Sequence, residues 1–294
     1  MKRFIVTCAV SFAPLVAWPA CTAQSGTETA ALVELYTSEG CSSCPPADRQ
    51  LSQLPNANLP ASKVIPISLH VNYWDYIGWK DPFAKPGFPE RQVWLVHANR
   101  RRTSYTPHFF VSGKEVGDWR GDLIDKIHRI NNQPARAAIQ LRVAAGKPGA
   151  LSLDADASSH VTGDPLALYL AITEDHLVSH IQAGENSGVT LYHDHVVREW
   201  IGPIPFVSGK VVAHRDVALP MNWNQRQLKV IGLVQNTSTG EVLQAVSTEA
   251  CGAGCVPGIP LNDLLADLSL CWKITIHTVS HLYSIDFDNA ANQD

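Results

Sequence analysis

The chain has 294 residues, 45% of them apolar and 17% charged, with a formal net charge of −4 at pH 7. That length is enough for two ordinary cores. The mildly acidic balance excludes the electrostatic footprint of a nucleic-acid binder and a basic face for anionic lipid.

The first segment is expected to be a secretory signal peptide over residues 1–23. Lys2 and Arg3 form a basic start, Phe4 to Trp18 is an uncharged apolar run, and "ACTAQS" supplies small residues, with Ala23 as the last before cleavage. The apolar run is short for a membrane span, and no later stretch is long enough for one. A periplasmic or secreted location follows, in a compartment where disulfides persist. An uncleaved anchor, or lipidation at Cys21, is the alternative. Of seven cysteines, Cys8 and Cys21 belong to this segment, leaving Cys41, Cys44, Cys251, Cys255 and Cys271. Five is odd, so at least one is unpaired or pairs outside the chain.

Residues 28–134 read as alternating strands and helices. "ALVELYT" is a buried strand and "ADRQLSQL" a helix, with Pro45 and Pro46 tolerated in its first turn. "KVIPISLHV" is a second strand and "PERQVWLVHANR" a second helix. "HFFVSGKEVG" is a hairpin turning at Ser112-Gly113. "DLIDKIHRI" is a helix with Leu123, Ile124, Ile127 and Ile130 at helical spacing. The order β-α-β-α-β-β-α predicts an α/β layer fold.

The texture changes near "NNQPAR". Residues 135–250 read as strands: "AAIQLRVA", "ALSLDA", "LALYLAIT", "TLYHDHVVREWI", "KVVAHRDVAL", "QLKVIGLVQ" and "EVLQAVS". Turn signals such as "AGKPG", "TGDP" and "NTSTG" separate many of them. This predicts an all-β sandwich-like domain. In "TLYHDHVVREW", alternation places His193 and His195 on one face, as sheet histidines or the start of a metal site. Residues 251–294 form a tail carrying Cys251, Cys255 and Cys271, whose pairing spacing does not choose.

The chemistry concentrates in "YTSEGCSSCPPADR". Cys41 and Cys44 follow a strand and open a helix. A free thiol titrates near 8.5; at a helix N-terminus in a C-x-x-C it falls to about 3.5–7.5. Cys41 is then the attacking thiol, and Cys44 resolves the mixed disulfide. Half a zinc site looks the same, but no second C-x-x-C lies in this segment. "HVNYWDYIGWKDPFAKPGF" is a long aromatic insertion. Tyr73, Trp74 and Asp75 wall a groove beside the dithiol or cover a satellite core. Arg100, Arg101 and Arg102 read as the solvated end of a helix. No dinucleotide, phosphate-loop or zinc-protease fingerprint appears, so no cofactor is expected.

"VELYTSEGCSSC", followed by "TPHFFVSGKEVG", resembles the thioredoxin and glutaredoxin superfamily. The resemblance implies an α/β thioredoxin-like domain ahead of the all-β one. It implies that Pro107 is a cis-proline facing the dithiol. Thr106 would offer its backbone to an extended substrate. Glu34 is the nearest candidate for a buried acid, but its spacing to Cys41 is one residue longer than that pattern; a paired strand carboxylate is the alternative. More narrowly, "VELYTSEGCSSCPPADR", "HVNYWDYIGWKDPF", "YTPHFFVSG" and "GENSGVTLYHDHVVRE" resemble a secreted bacterial family, domain of unknown function 1223. That family commonly carries aspartate where this chain has Asn72, so an acid–base role there is in doubt.

The function expected is thiol–disulfide exchange by Cys41 and Cys44 with protein thiols or disulfides as partners, served by an unidentified redox partner. Soft-metal binding of Cu(I) by the two thiols and a histidine, or a non-catalytic adaptor, are the alternatives.

Overall fold

The structure is a computed structural model and describes residues 21–56 and 59–249. Its strands are β1 (Cys21–Gln24), β2 (Ala31–Thr37), β3 (Val64–His70), β4 (His108–Val111), β5 (Lys114–Val116), β6 (Ala137–Ala145), β7 (Ala150–Ser159), β8 (Leu166–Glu174), β9 (Leu177–His180), β10 (Thr190–His193), β11 (Val196–Pro205), β12 (Lys210–Ala218), β13 (Leu228–Asn236) and β14 (Val242–Ser247). The described helices are α1 (Pro45–Gln53), α2 (Gly87–Ala98) and α3 (Trp119–Asn131).

The expected α/β thioredoxin-like domain followed by a separate sandwich-like domain is overturned. Strands dominate the described residues, and eight of them form one sheet in the order β14-β13-β8-β11-β3-β2-β4-β5. This sheet takes strands from both sides of "NNQPAR". The junction is β11, which runs antiparallel to β8 and parallel to β3, with Val196 opposite Ser68. The physical reason lies in β3. Its residues are buried throughout, so each edge needs partners; β2 pairs with one along its length, and β11 meets the other at Ser68. The remaining strands form a four-stranded sheet, β1-β6-β7-β12, and a two-stranded arm, β10-β9. Ala23, the expected last residue before cleavage, lies inside β1, opposite Leu141 of β6.

The local elements follow the sequence pattern closely. β2 and β3 are buried along their whole length, as their unbroken apolar runs imply. Asp118 caps α3 by accepting from the N–H groups of Arg120 and Gly121. The β4–β5 hairpin turns at Ser112 and Gly113, with φ of 45° and 81°. Gly113 also meets the turn between β13 and β14: a Cβ there would lie 1.8 Å from the carbonyl oxygen of Gly240. "TLYHDHVVREWI" is not one strand. His195 adopts φ of 60° and breaks it into β10 and β11.

The large sheet is covered on both faces. Val33 and Leu35 of β2 pack with Leu51 of α1 and Leu123 and Ile127 of α3. Leu32 and Tyr36 face the other way, with Ile67 and Leu69 of β3, Leu95 of α2 and Leu233 of β13. Inside this second layer Glu34 is fully buried and held by Arg91 of α2 through Nε–Oε2 and Nη2–Oε1 contacts of 2.8 and 2.9 Å. Arg91 also donates to Gln235 of β13 and stacks over Trp200 of β11 at 4.4 Å. Burial works against its charge, yet Glu34 holds its pKa raised. One guanidinium thus ties α2 to strands from early and late in the chain.

Removing one partner of a buried pair strands the other charge, at a cost of about 3–5 kcal/mol. Arg91→Ala is therefore expected to lose about that much stability in urea unfolding. A loss under about 1 kcal/mol, the range of exposed pairs, would contradict the placement of Arg91 as the bolt between the two halves of the sheet.

Candidate functional site: the Cys41–Cys44 disulfide and its cover

β2 ends at Thr37, and the chain turns through Ser38 to Gly40, all buried. Cys41 N–H donates to Ser38 O at 3.1 Å and Cys44 N–H to Cys41 O at 3.2 Å. Cys44 is the N-cap of α1, with proline at the first helical positions and no side-chain cap. Pro45 and Pro46 lack an N–H, so the positions that would otherwise carry unpaired donors are occupied by residues with none. Cys41 and Cys44 are bonded as a disulfide, with Cα atoms 5.4 Å apart. The positive end of the α1 dipole favours a thiolate here once the bond is reduced.

Both cysteines are buried, Cys41 at 1% and Cys44 at 0% exposure, while Ser42 and Ser43 face solvent. The cover comes from two places. Trp74 and Ile77 crowd Gly40, where a Cβ would meet them at 3.0 and 3.3 Å. The arm formed by β9 and β10 supplies the rest through its connecting loop. Asn186, buried, donates to the carbonyls of Glu39 at 2.7 Å and Cys41 at 3.1 Å. Glu185 accepts from Ser42 N–H at 3.1 Å.

Beside the disulfide turn lies a buried polar cluster. Glu39 accepts from Trp79 Nε1 at 2.7 Å and contacts His193 Nε2 at 3.1 Å. Its own N–H donates to Asp81, which also holds His70 Nδ1 at 2.8 Å. The rings of His70 and His193 meet edge-on with centroids 5.0 Å apart. Burial works against the charge of His70, but Asp81 raises its pKa; burial likewise works against Asp81, and His70 lowers its pKa. Asp48 of α1 is pushed up by burial, against the pull of His193 and His70. His70 Nε2 and His193 Nδ1 are buried without a hydrogen-bond partner. Among the described residues no group of three His, Cys, Asp or Glu is arranged to hold a metal.

The structure distributes the other sequence candidates unevenly. The Thr106–Pro107 bond is cis. Trp74 reaches both sides of the site, packing on Gly40 and donating from Nε1 to Thr106 Oγ1 at 2.8 Å. Tyr73 instead donates to Gln92 Oε1 at 3.2 Å, and burial pushes its phenol up to about 12. Asp75 Oδ1 accepts from Asp81 N–H at 3.3 Å, which makes it a turn brace. Glu34 is committed to Arg91. His193 and His195 do not share a face: His193 points to Glu39, and His195 pairs with Asp175. Cys251, Cys255 and Cys271 lie outside the described residues. Glu39, Asp48, Asn186 and Glu185 were not singled out from the sequence. Glu185, Asn186 and His193 do lie in "GENSGVTLYHDHVVRE", one of the stretches that carried the family resemblance.

A strand-rich protein with a helix-capped disulfide under a two-stranded arm is the class defined by these observations. The family model described as "Protein of unknown function (DUF1223)" matches residues 32–235, and the chain belongs to that family. The chain is similar to an Agrobacterium tumefaciens protein solved by X-ray crystallography, with 22% identity and a TM-score of 0.52 over 77% of this chain and 96% of that one. It is also similar to HBP35 of Porphyromonas gingivalis, with 16% identity and a TM-score of 0.61 over 80% of this chain and 79% of that one. At such identities the likeness concerns the fold alone. No curated protein matches the chain.

The His70–Asp81 pair makes stability depend on pH. Asp81 is lowered, so its contribution is present above the usual aspartate value and lost as pH falls through its folded pKa. His70 is raised, so its contribution is present below the usual histidine value and lost as pH rises through its folded pKa. The pair is thus fully stabilising between about pH 4 and 6.5. Asp81→Asn is expected to cost about 3–5 kcal/mol in urea unfolding at pH 5. The cost should shrink at a pH above the folded pKa of His70. An equal loss at both pH values would contradict the pairing.

Proposed function

We propose that the chain is a thiol–disulfide oxidoreductase acting outside the cytoplasm on protein thiols or disulfides through Cys41 and Cys44. The observation that carries this reading is the disulfide at the start of α1, spanning only Ser42 and Ser43, both exposed. The leader-like start of the chain supports the location. No helix among the described residues is long and apolar enough to cross a membrane.

In the reducing direction the Cys41 thiolate attacks one sulfur of a substrate disulfide. A mixed disulfide forms, and one substrate thiolate leaves. The Cys44 thiolate then attacks Cys41 Sγ, releasing the second substrate thiolate and restoring Cys41–Cys44. Two electrons pass to the substrate, and a dithiol partner must return them. Oxidation of a substrate dithiol is the reverse sequence. Since both cysteines are buried, the residues around them must move before an incoming sulfur reaches Cys41.

The same burial favours a second reading, a structural staple that never opens. Turnover separates the two. In an insulin-reduction assay with dithiothreitol, the wild-type chain is expected to accelerate reduction, and Cys41→Ser to return it to the uncatalysed rate. Cys44→Ser is expected to accumulate a mixed disulfide between Cys41 and insulin. A wild-type rate equal to that of the double Ser variant would leave the staple as the account.

A further inference from the structure

The loop between β9 and β10 carries a charge to the one exposed side of the disulfide turn. We propose that Glu185 is a specificity-determining residue that favours neutral and cationic thiols at Cys41 and disfavours anionic ones. This rests on the exchange reading given above and names the substrate class of that site.

Three observations place the charge. Ser42 and Ser43 are the exposed residues of the turn, and the Glu185 carboxylate is hydrogen-bonded to Ser42 N–H. That position is held by its neighbours. Asn186 is 6% exposed and anchored on two carbonyls of the turn. Gly184, with φ of 76°, lies so close to Ile77 that a Cβ would approach it at 3.2 Å. Of the other carboxylates around the turn, Glu39 is buried against Trp79 and His193, Asp81 against His70, and Asp48 is buried in the first turn of α1. Glu185 alone of these faces solvent. Ser42 is its partner, and no Lys or Arg among the described residues pairs with it. Its pKa is lowered by the Ser42 bonds, which keeps it ionised across the neutral range.

The step concerned is attack of an external thiolate on Cys41 Sγ. The Cys41–Cys44 bond breaks, the electron pair goes to Cys44 Sγ, and that sulfur takes a proton from solvent. A second negative charge on the incoming molecule meets the Glu185 carboxylate at close range, and a positive charge is attracted by it. At surface dielectric such a unit charge changes a rate by about 3- to 10-fold at low salt, and salt screens it.

The test uses the full chain in its oxidised form with cysteamine, 2-mercaptoethanol and mercaptoacetate. Mass spectrometry follows the mixed disulfide at Cys41, and each rate is divided by the rate of the same reagent with a neutral small-molecule disulfide at the same pH, which removes both its thiolate fraction and its intrinsic nucleophilicity. The expected order is cysteamine, then 2-mercaptoethanol, then mercaptoacetate, spanning about 3- to 10-fold and narrowing at 0.5 M salt. Glu185→Gln should bring the rates within about 2-fold, and Glu185→Lys should invert the order. Adducts at equal rates in the wild type, or an order unchanged in Glu185→Gln, would overturn this inference and leave the exchange reading standing. No adduct from any reagent until the chain is unfolded would overturn both.

Discussion

The parallel contact of β11 with β3 is the constraint on which the rest of the structure depends. Ser68 N–H donates to His195 O at 2.8 Å, and Val196 then runs beside Ser68. This join pairs the second edge of a fully buried strand at Ser68, whose backbone N–H would otherwise lack a partner. It also fixes where the residues before β11 must go. The arm, residues 177–193, is delivered to the end of β2 and β3, where the Cys41–Cys44 turn begins. The arm is braced at its base by a reciprocal pair of bonds: His176 N–H donates to Asp194 at 2.9 Å and His195 N–H to Asp175 at 2.8 Å. His176 and His195 both have positive φ there, 59° and 60°. Arg91 secures the same join from the other side, through Glu34, Gln235 and Trp200.

Much of the local structure was legible in the sequence. The apolar runs of β2, β3 and β8, the helix of α3 and the Ser112-Gly113 hairpin each carry a pattern that one element satisfies. Pairing was not legible. A strand buried on both faces states that it has neighbours and does not name them. "KVIPISLHV" therefore gave no sign that its second neighbour lies more than a hundred residues further on. The break at His195 was hidden for a related reason. A histidine with positive φ has no composition signal comparable to glycine, and it is held by Asp175, the residue that follows β8. The fold-class expectation failed on these long-range facts, though the element order within residues 28–134 agrees with the pattern.

The site divides in the same way. Cys41, Cys44 and the helix that follows were readable from spacing and from the prolines. Trp74 was readable as part of an aromatic insertion, and its bridge from Gly40 to Thr106 was not. Glu39, His193, Asn186 and Glu185 become a site only because β11 brings the arm across. Their juxtaposition spans roughly 150 residues of sequence, far beyond any helix or strand period. The result is a disulfide with two faces. One side is a buried acid–imidazole cluster; the other is a serine pair open to solvent and bordered by one carboxylate. Burial of this kind is compatible with exchange only if the surroundings of the disulfide open, and it is the reason the redox behaviour of the pair decides the account.

The most direct measurement is a redox titration of the full chain in glutathione buffers, read by alkylation and mass at Cys41 and Cys44. The account predicts a midpoint between about −270 and −120 mV, the range of exchange-active dithiols, with Cys41 alkylating in the folded protein below pH 7.5. A midpoint below about −300 mV, or thiols that alkylate only after unfolding, would contradict it and make the bond a structural one.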